Sequence, residues 1–146
     1  MTIRSLVVDT DTASDDAVAL VLAALDPTVE IRMVTVVAGN VPLELAVRNA
    51  ITTLDVVDKG SVPVHAGAKR PLKRPLETAQ FVHGEDGMGS ADLPLPTRGP
   101  DSEDAVEALL RVSTDEPGRH TLVTLGPLTN IALALREEPR FLSRFV

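Results

Sequence analysis

The sequence has 146 residues, which suits one domain, and its 44% of apolar residues excludes a disordered chain. It contains no cysteine, which excludes disulfides and thiolate metal sites. The net charge of −7, with 2% aromatic residues, argues against nucleic-acid binding and favours hard cations and neutral or cationic small molecules as ligands. No apolar stretch has the length of a membrane span or the pattern of a signal peptide, so we expect a cytoplasmic protein.

Short β-branched segments alternate along the chain with segments of helical periodicity. The predicted strands are Ile3–Val8, Val29–Ala38, Val62–His65 and Arg119–Gly126. The predicted helices are Ser14–Leu25, Pro42 to about Asp58, about Asp101–Thr114, and a fourth that opens with Pro127 in its first turn. This alternation predicts a single α/β domain over residues 1–146, built on a Rossmann-like, mostly parallel sheet with helices on both faces.

Local signals add detail to these helices. Ser14 and Asp101 are predicted N-caps, and Gly60 is the predicted C-terminal stop of the second helix. The first helix is predicted to bury the apolar residues that recur at helical spacing, Val18, Val21, Leu22 and Leu25.

The strand order most typical of such a sheet is 3-2-1-4, and ligands then bind beyond the carboxyl ends of the strands. In this chain those ends carry "DTDTASDD", "AGN" and "TLGPLTN", which the topology would bring to one cleft. Residues 66–100 are rich in proline and show no periodicity, so we predict a long active-site loop there. His65 and His120 lie beside or in strands and are predicted to be structural.

Four carboxylates, Asp9, Asp11, Asp15 and Asp16, lie within one strand-to-helix turn. Packed like charges raise one another's pKa unless a cation neutralises them. With no cysteine and few histidines, the ligands are oxygen atoms, which suit Ca²⁺ or Mg²⁺. The alternative is a solvated acidic turn, in which Asp15 and Asp16 only begin a helix.

Four motifs of the sequence resemble those of a known family. "DTDTASDDAVAL", "TVVAGN", "VHGEDGMG" and "TLGPLTNIALAL" follow in the order and approximate spacing of the nucleoside hydrolases of the inosine-uridine-preferring type. Thr12-Ala13 stands where the family usually has Pro-Gly. The resemblance implies hydrolysis of the N-glycosidic bond of ribonucleosides, in nucleoside salvage, by a metal-activated water.

The resemblance also implies a metal site. Asp11 and Asp16 would bind Ca²⁺, with Mg²⁺ the less favoured ion, and the backbone carbonyl of Leu125 would be a further ligand. Asp11 would act as the catalytic base that takes a proton from water. Asp9 would support the site from behind.

Three further residues match substrate positions of the family. Asp15 would bind a ribose hydroxyl, Asn40 would contact the ribose, and His83 would act catalytically beside the departing base. Phe81 is the aromatic residue nearest to these motifs, and the sequence does not fix which base is preferred.

Nucleoside hydrolases are about twice as long as this chain, and their second half supplies a further aspartate ligand, a histidine and more ribose contacts. We therefore expect the N-terminal half of such a protein, weakly active or inactive by itself. Its fourth strand would leave an apolar edge, which favours a homo-oligomer.

Two other functions stay open at this point. Asp9-Thr10-Asp11-Thr12 also resembles the haloacid dehalogenase-type Mg²⁺-dependent phosphatases, in which Asp9 would be the nucleophile and Asp11 the acid/base. The late lysine and acidic pair of that family have no counterpart here. The other alternative is a half-domain that keeps the fold without catalysing a reaction.

Overall fold

The computed structural model describes residues 3–146, which form one four-stranded sheet with helices around it. The strands are Arg4–Thr10 (β1), Val29–Val36 (β2), Val64–Ala66 (β3) and His120–Thr124 (β4). The helices are Ser14–Leu25 (α1), Leu43–Val56 (α2), Gln80–His83 (α3), Ala105–Asp115 (α4), Thr129–Glu137 (α5) and a 3₁₀ turn at Phe141–Arg144. None of the helices within these residues is long and apolar enough to cross a membrane.

The sheet has the predicted order, β3-β2-β1-β4, and its strand pairs are parallel. β1 is therefore flanked on both sides, and Asp9 near its end is in register with Thr35 of β2 and Thr124 of β4. The carboxyl ends of these three strands meet at one edge, where ligands bind in open α/β sheets. β4 is an edge strand of the described sheet, and the homo-oligomer expected from that edge stays a prediction.

Adjacent residues of β1 point into two separate cores, as the alternation of side chains along a strand requires. Val8 packs in a cluster that includes Leu20 of α1 and Ile51 of α2. Val7 packs on the other face with Leu109 of α4 and Phe141. Helices thus cover both faces of the sheet, as predicted.

The face that α1 buries differs from the predicted one. Val18, Leu22 and Leu25 are 60%, 67% and 62% exposed. The helix instead buries Asp16, Ala17, Leu20 and Ala24. Asp16 explains the difference, because its carboxylate accepts hydrogen bonds from Thr10 and Asp11 and so fixes the rotation of the helix about its axis.

Both predicted N-caps are wrong. The N-cap position of α1 is Ala13, with no side-chain cap, and Ser14 is the first helical residue. Asp104 caps α4 by accepting the Glu107 N–H at 2.8 Å. Asp101 lies further upstream, where its carboxylate accepts the Val64 N–H of β3 at 2.9 Å.

The other predicted boundaries are displaced by a few residues. α2 ends at Val56 before reaching Gly60, and α5 starts at Thr129, after Pro127. β1 is longer than predicted at its carboxyl end, β2 and β4 are shorter, and β3 is shifted towards Ala66. Element ends depend on caps and tertiary contacts, so periodicity alone places them poorly.

Of the predicted loop, residues 66–100, Ala66 ends β3 and the rest is irregular apart from α3, a single turn that the periodicity did not reveal. This turn is followed by Gly84 at φ +83°, a left-handed conformation that glycine adopts without strain. The segment is held to the loop after β2 by Ala79, whose N–H donates to the Asn40 carbonyl at 2.8 Å. It is held to α2 by Asn49, whose amide donates to the Asp86 carbonyl at 2.9 Å.

Candidate active site

The Asp11 carboxylate lies at the edge of the sheet where the carboxyl ends of β1, β2 and β4 meet. Its Oδ2 accepts the backbone N–H of Asn40 at 2.6 Å. Two glycines pack against it: a Cβ at Gly39 would overlap Oδ2, and a Cβ at Gly126 would lie 2.8 Å from Oδ1. The loops that follow β2 and β4 therefore close around this carboxylate, and side chains on either glycine would displace it.

Asp16 joins Asp11 from the first turn of α1. Its Oδ2 accepts the Thr10 hydroxyl at 2.6 Å and the Asp11 backbone N–H at 3.2 Å. Burial is the main reason that the pKa of Asp16 is raised to about 6, with a smaller contribution from the Asp11 carboxylate and an opposing one from the Thr10 hydrogen bond. The side chains of this pair are held close together and largely out of solvent.

Asp9 lies behind this pair and is fully buried. Its Oδ2 accepts the Thr35 hydroxyl at 2.6 Å and the Asn130 amide at 2.9 Å, whereas its buried Oδ1 has no hydrogen-bond partner among the described residues. Burial raises the pKa of Asp9 to about 6, although these two hydrogen bonds lower it. Asp9 is thus placed to support the strand ends, and the functional role assigned to it stays a prediction.

Asn130, which the sequence analysis did not single out, connects three segments at this edge. Its Nδ2 donates to Asp9 and, at 3.1 Å, to the Val36 carbonyl, and its Oδ1 accepts the Ala68 N–H at 2.9 Å. It is fully buried in the first turn of α5. The signal that could have revealed it is an amide side chain directly before the apolar run "IALAL".

Replacing Asn130 by Ala is expected to lower the free energy of unfolding by about 3 kcal/mol, because three hydrogen bonds of about 1 kcal/mol each are lost from a buried network. Urea denaturation of both proteins measures this difference. A loss below about 1 kcal/mol would mean that the network contributes little to the fold.

His83 reaches the site from α3. Its Nδ1 lies 2.9 Å from the Ser14 hydroxyl and 3.9 Å from Oδ1 of Asp15. Ser14 and Asp15 are the first two residues of α1, so the long loop brings the predicted histidine to the predicted aspartate. The Asp15 side chain is 68% exposed and lies at the rim of the site.

Asn40 and Leu125 complete the set of predicted residues. Asn40 is fixed by its backbone, through its N–H to Asp11 and its carbonyl to Ala79. Leu125 donates its N–H to the Asp9 carbonyl at 2.8 Å and directly precedes Gly126, which contacts Asp11. Within residues 3–146, no hydrogen bond to the Leu125 carbonyl is found, and its role as a ligand stays a prediction.

The donor set fits a hard cation. Asp11 and Asp16 are neighbouring buried carboxylates, and none of the ion pairs within the described residues involves either of them. Together with the Leu125 carbonyl they offer oxygen atoms alone, as Ca²⁺ and Mg²⁺ prefer. The described part of the chain contains no group of three or more His, Asp or Glu side chains arranged as a metal site, so a cation at these residues stays a prediction.

The family model described as inosine-uridine preferring nucleoside hydrolase matches residues 6–145. The chain belongs to this family. A pyrimidine-specific ribonucleoside hydrolase of Klebsiella pneumoniae is 41% identical over 134 residues, which are 92% of this chain and 43% of that protein. The structure of a plant nucleoside hydrolase matches with a TM-score of 0.92 at 34% identity, over 97% of this chain and 45% of that one. That of an inosine-guanosine nucleoside hydrolase matches with a TM-score of 0.85 at 38% identity, with the same coverage.

The chain thus spans less than half the length of these nucleoside hydrolases, in agreement with the predicted N-terminal half. Membership of this family also decides against the haloacid dehalogenase reading of Asp9 and Asp11.

Thr12-Ala13, which stands where the family usually has Pro-Gly, forms the turn between β1 and α1 in this chain. The Thr12 hydroxyl lies 3.0 Å from that of Thr10, and its carbonyl accepts the Asn49 amide at 3.2 Å. Ala13 is fully buried, and its carbonyl accepts the first helical N–H, from Ala17. The Thr12 hydroxyl and carbonyl thus both have hydrogen-bond partners in this turn.

Outside this edge, two histidines have structural surroundings, as predicted. Nδ1 of His65 lies 2.8 Å from the Ser102 hydroxyl, and burial lowers its pKa. Nδ1 of His120 lies 2.9 Å from the Ser5 hydroxyl in the interior.

Proposed function

We propose that this chain carries the cation and ribose site of an enzyme that hydrolyses the N-glycosidic bond of ribonucleosides to the free base and ribose. The observation that carries the proposal is the meeting of Asp11 and Asp16 at the carboxyl edge of the sheet, with His83 and Asp15 at its rim. Membership of the nucleoside hydrolase family supports it.

The cation proposed here is Ca²⁺, with Mg²⁺ as the less favoured alternative. Asp11, Asp16 and the Leu125 carbonyl would hold it. When bound, such an ion supplies positive charge that makes a nearby water easier to deprotonate. The raised pKa of Asp16 supports this assignment, because a cation would offset the cost of burying two adjacent negative charges.

Asp11 is the proposed base. Its Oδ2 is held by the Asn40 N–H and its Oδ1 lies against Gly126, so the carboxylate is fixed before substrate binds. A carboxylate that is already fixed in the site can accept a proton from the attacking water without first having to reorganise.

Asp15 and Asn40 are the proposed ribose contacts. The exposed Asp15 carboxylate can accept a hydrogen bond from a sugar hydroxyl. Cleavage of the glycosidic bond develops positive charge on the sugar ring, and the surrounding carboxylates stabilise that charge electrostatically.

His83 is the proposed hydrogen-bond donor to the departing base. Its ring is anchored at Nδ1, which leaves Nε2 as the ring nitrogen for substrate. Phe81, on the same turn, is 89% exposed and is the proposed aromatic contact of the base. The homo-oligomer and the cytoplasmic location also remain proposals.

The test is release of ribose from inosine and uridine by the purified chain, assayed beside release of phosphate from p-nitrophenyl phosphate. Release of ribose without phosphate supports the proposal. Phosphate without ribose would instead support the phosphatase reading, and release of neither product would leave this chain as a non-catalytic half-domain.

Adding Ca²⁺ is expected to raise the melting temperature of the chain. Binding to the folded state alone stabilises by about 2.7 kcal/mol at about 100 times the dissociation constant, which corresponds to roughly 5 to 10 °C at this size. Calorimetry with and without the ion measures the shift.

Asp16→Asn should remove most of this rise in melting temperature, because the variant loses one negatively charged cation ligand. The fold should persist, since the amide oxygen can still accept the hydrogen bonds of Thr10 and Asp11. Asp92→Asn is the matched control, since Asp92 is exposed and asparagine tolerates its φ of +48°. An equal shift in wild type and Asp16→Asn would contradict the metal assignment.

A further inference from the structure

The hydroxyl of Ser14 contacts a residue far along the chain and does not cap its own helix. Ser14 is the first residue of α1 and follows the N-cap position, Ala13, so its hydroxyl is free of a capping role. Its Oγ lies 2.9 Å from Nδ1 of His83, which is 69 residues away in sequence. The contact is partly buried, and the His83 side chain is 13% exposed.

Two groups lie near Nδ1 of His83 and would favour opposite tautomers of its ring: the Ser14 hydroxyl, within hydrogen-bond distance, and the more distant Asp15 carboxylate. A hydroxyl can donate or accept a hydrogen bond, whereas an ionised carboxylate can only accept one. If Ser14 donates to Nδ1, the proton of the neutral ring must be on Nε2. If Asp15 accepted from Nδ1, the ring proton would be on Nδ1 and Nε2 would be left as an acceptor. Ser14 is the nearer of the two, at 2.9 Å against 3.9 Å for Asp15.

We propose that Ser14 is a positioning residue, which donates to Nδ1 of His83 and thereby keeps the proton on Nε2, the nitrogen offered to the departing base. This inference rests on the function proposed above. As the glycosidic bond breaks, its electron pair goes to the base, and a donor at Nε2 stabilises the charge that develops there. The opposite tautomer would present a lone pair to the base and would repel it.

The tautomer can be measured directly by ¹⁵N NMR of the imidazole rings. The chain has three histidines, and a His83→Gln variant identifies the signals of His83. We expect an Nε2–H ring in wild type and in Ser14→Thr, which keeps the hydroxyl. In Ser14→Ala we expect a shift towards Nδ1–H, because Asp15 then becomes the nearest group to that nitrogen.

Ser143→Ala is the matched control, because its hydroxyl bonds the Arg140 carbonyl in the 3₁₀ turn, away from the site. It should leave the His83 signals unchanged. An Nδ1–H ring in wild type, or the same His83 tautomer in wild type and Ser14→Ala, would overturn the proposal. This measurement needs no turnover, so it decides the role of Ser14 even if the chain hydrolyses no riboside.

Kinetics give a second readout if the chain is active. Ser14→Ala, which loses the Nε2 donor, should lower kcat for inosine by about tenfold with little change in KM, because the donor acts on charge that develops only as the bond breaks. p-Nitrophenyl riboside should be affected less than about twofold, because its leaving group is stable as an anion and gains little from a donor. An equal fall with both substrates would contradict this role, whereas absence of activity in wild type would mark the chain as a non-catalytic half-domain and leave the NMR result to decide the role of Ser14.

Discussion

Replacing Asp11 by Asn is expected to reduce ribonucleoside hydrolysis by at least about 10³-fold, because the variant loses both the proposed base and a negatively charged cation ligand. The fold should persist. An asparagine oxygen can still accept the Asn40 N–H, and removal of one charge relieves its repulsion of Asp16. The measurement is kcat/KM for inosine and uridine, with the circular dichroism spectrum as a check of folding.

Asp104→Asn is a suitable control for this experiment. Asp104 caps α4, and asparagine caps helices about as well as aspartate, so activity and stability should both be retained. If Asp11→Asn kept more than about a tenth of the wild-type activity, Asp11 could not be the base.

Replacing Gly39 by Ala is expected to disrupt the site although every polar side chain keeps its identity. The added methyl group would overlap Oδ2 of Asp11 and lie 2.8 Å from Cδ of Pro127. Either the carboxylate moves or the loops after β2 and β4 separate, at a cost of about 1 to 3 kcal/mol in stability. A displacement of about 1 Å at a reacting group can lower the rate by about 10²-fold.

The matched control is Gly99→Ala, since a Cβ at Gly99 meets no atom within 4 Å. Calcium-dependent stabilisation and kcat/KM should both fall in Gly39→Ala and stay near wild type in Gly99→Ala. If Gly39→Ala bound Ca²⁺ as tightly as wild type, the close packing of Asp11 would not matter for the cation.

The sheet could be predicted because alternating strands and helices, joined by right-handed crossovers, leave few possible topologies. The rotation of α1 could not, because it is not set by its apolar residues. Val18 and Leu22 have the spacing of a buried face, yet the hydrogen bonds of Asp16 turn them outward. A buried carboxylate at the start of a short helix outweighed the hydrophobic pattern.

In the candidate site, too, some features could be predicted from the sequence and others could not. Asp11 and Asp16 could be predicted because four acidic residues within one turn demand a partner, and the motif assigned their positions. The contacts of Ser14 with His83 and of Asp9 with Asn130 span 69 and 121 residues. Such contacts depend on how the loops close over the sheet, and no local pattern of spacing encodes them.

The position of Asn130 also sets the order in which the protein can be assembled during synthesis. Asp9 is made early, but its amide partner is translated 121 residues later. β1, α1 and β2 can form while the ribosome is still adding β4, whereas the fixed arrangement of Asp9 must wait until α5 has been made. Contacts of such long sequence separation also slow folding, because a large loop must close before they form. The nascent chain can therefore fix the Asp9 carboxylate only after β1, β2 and β4 have all been synthesised.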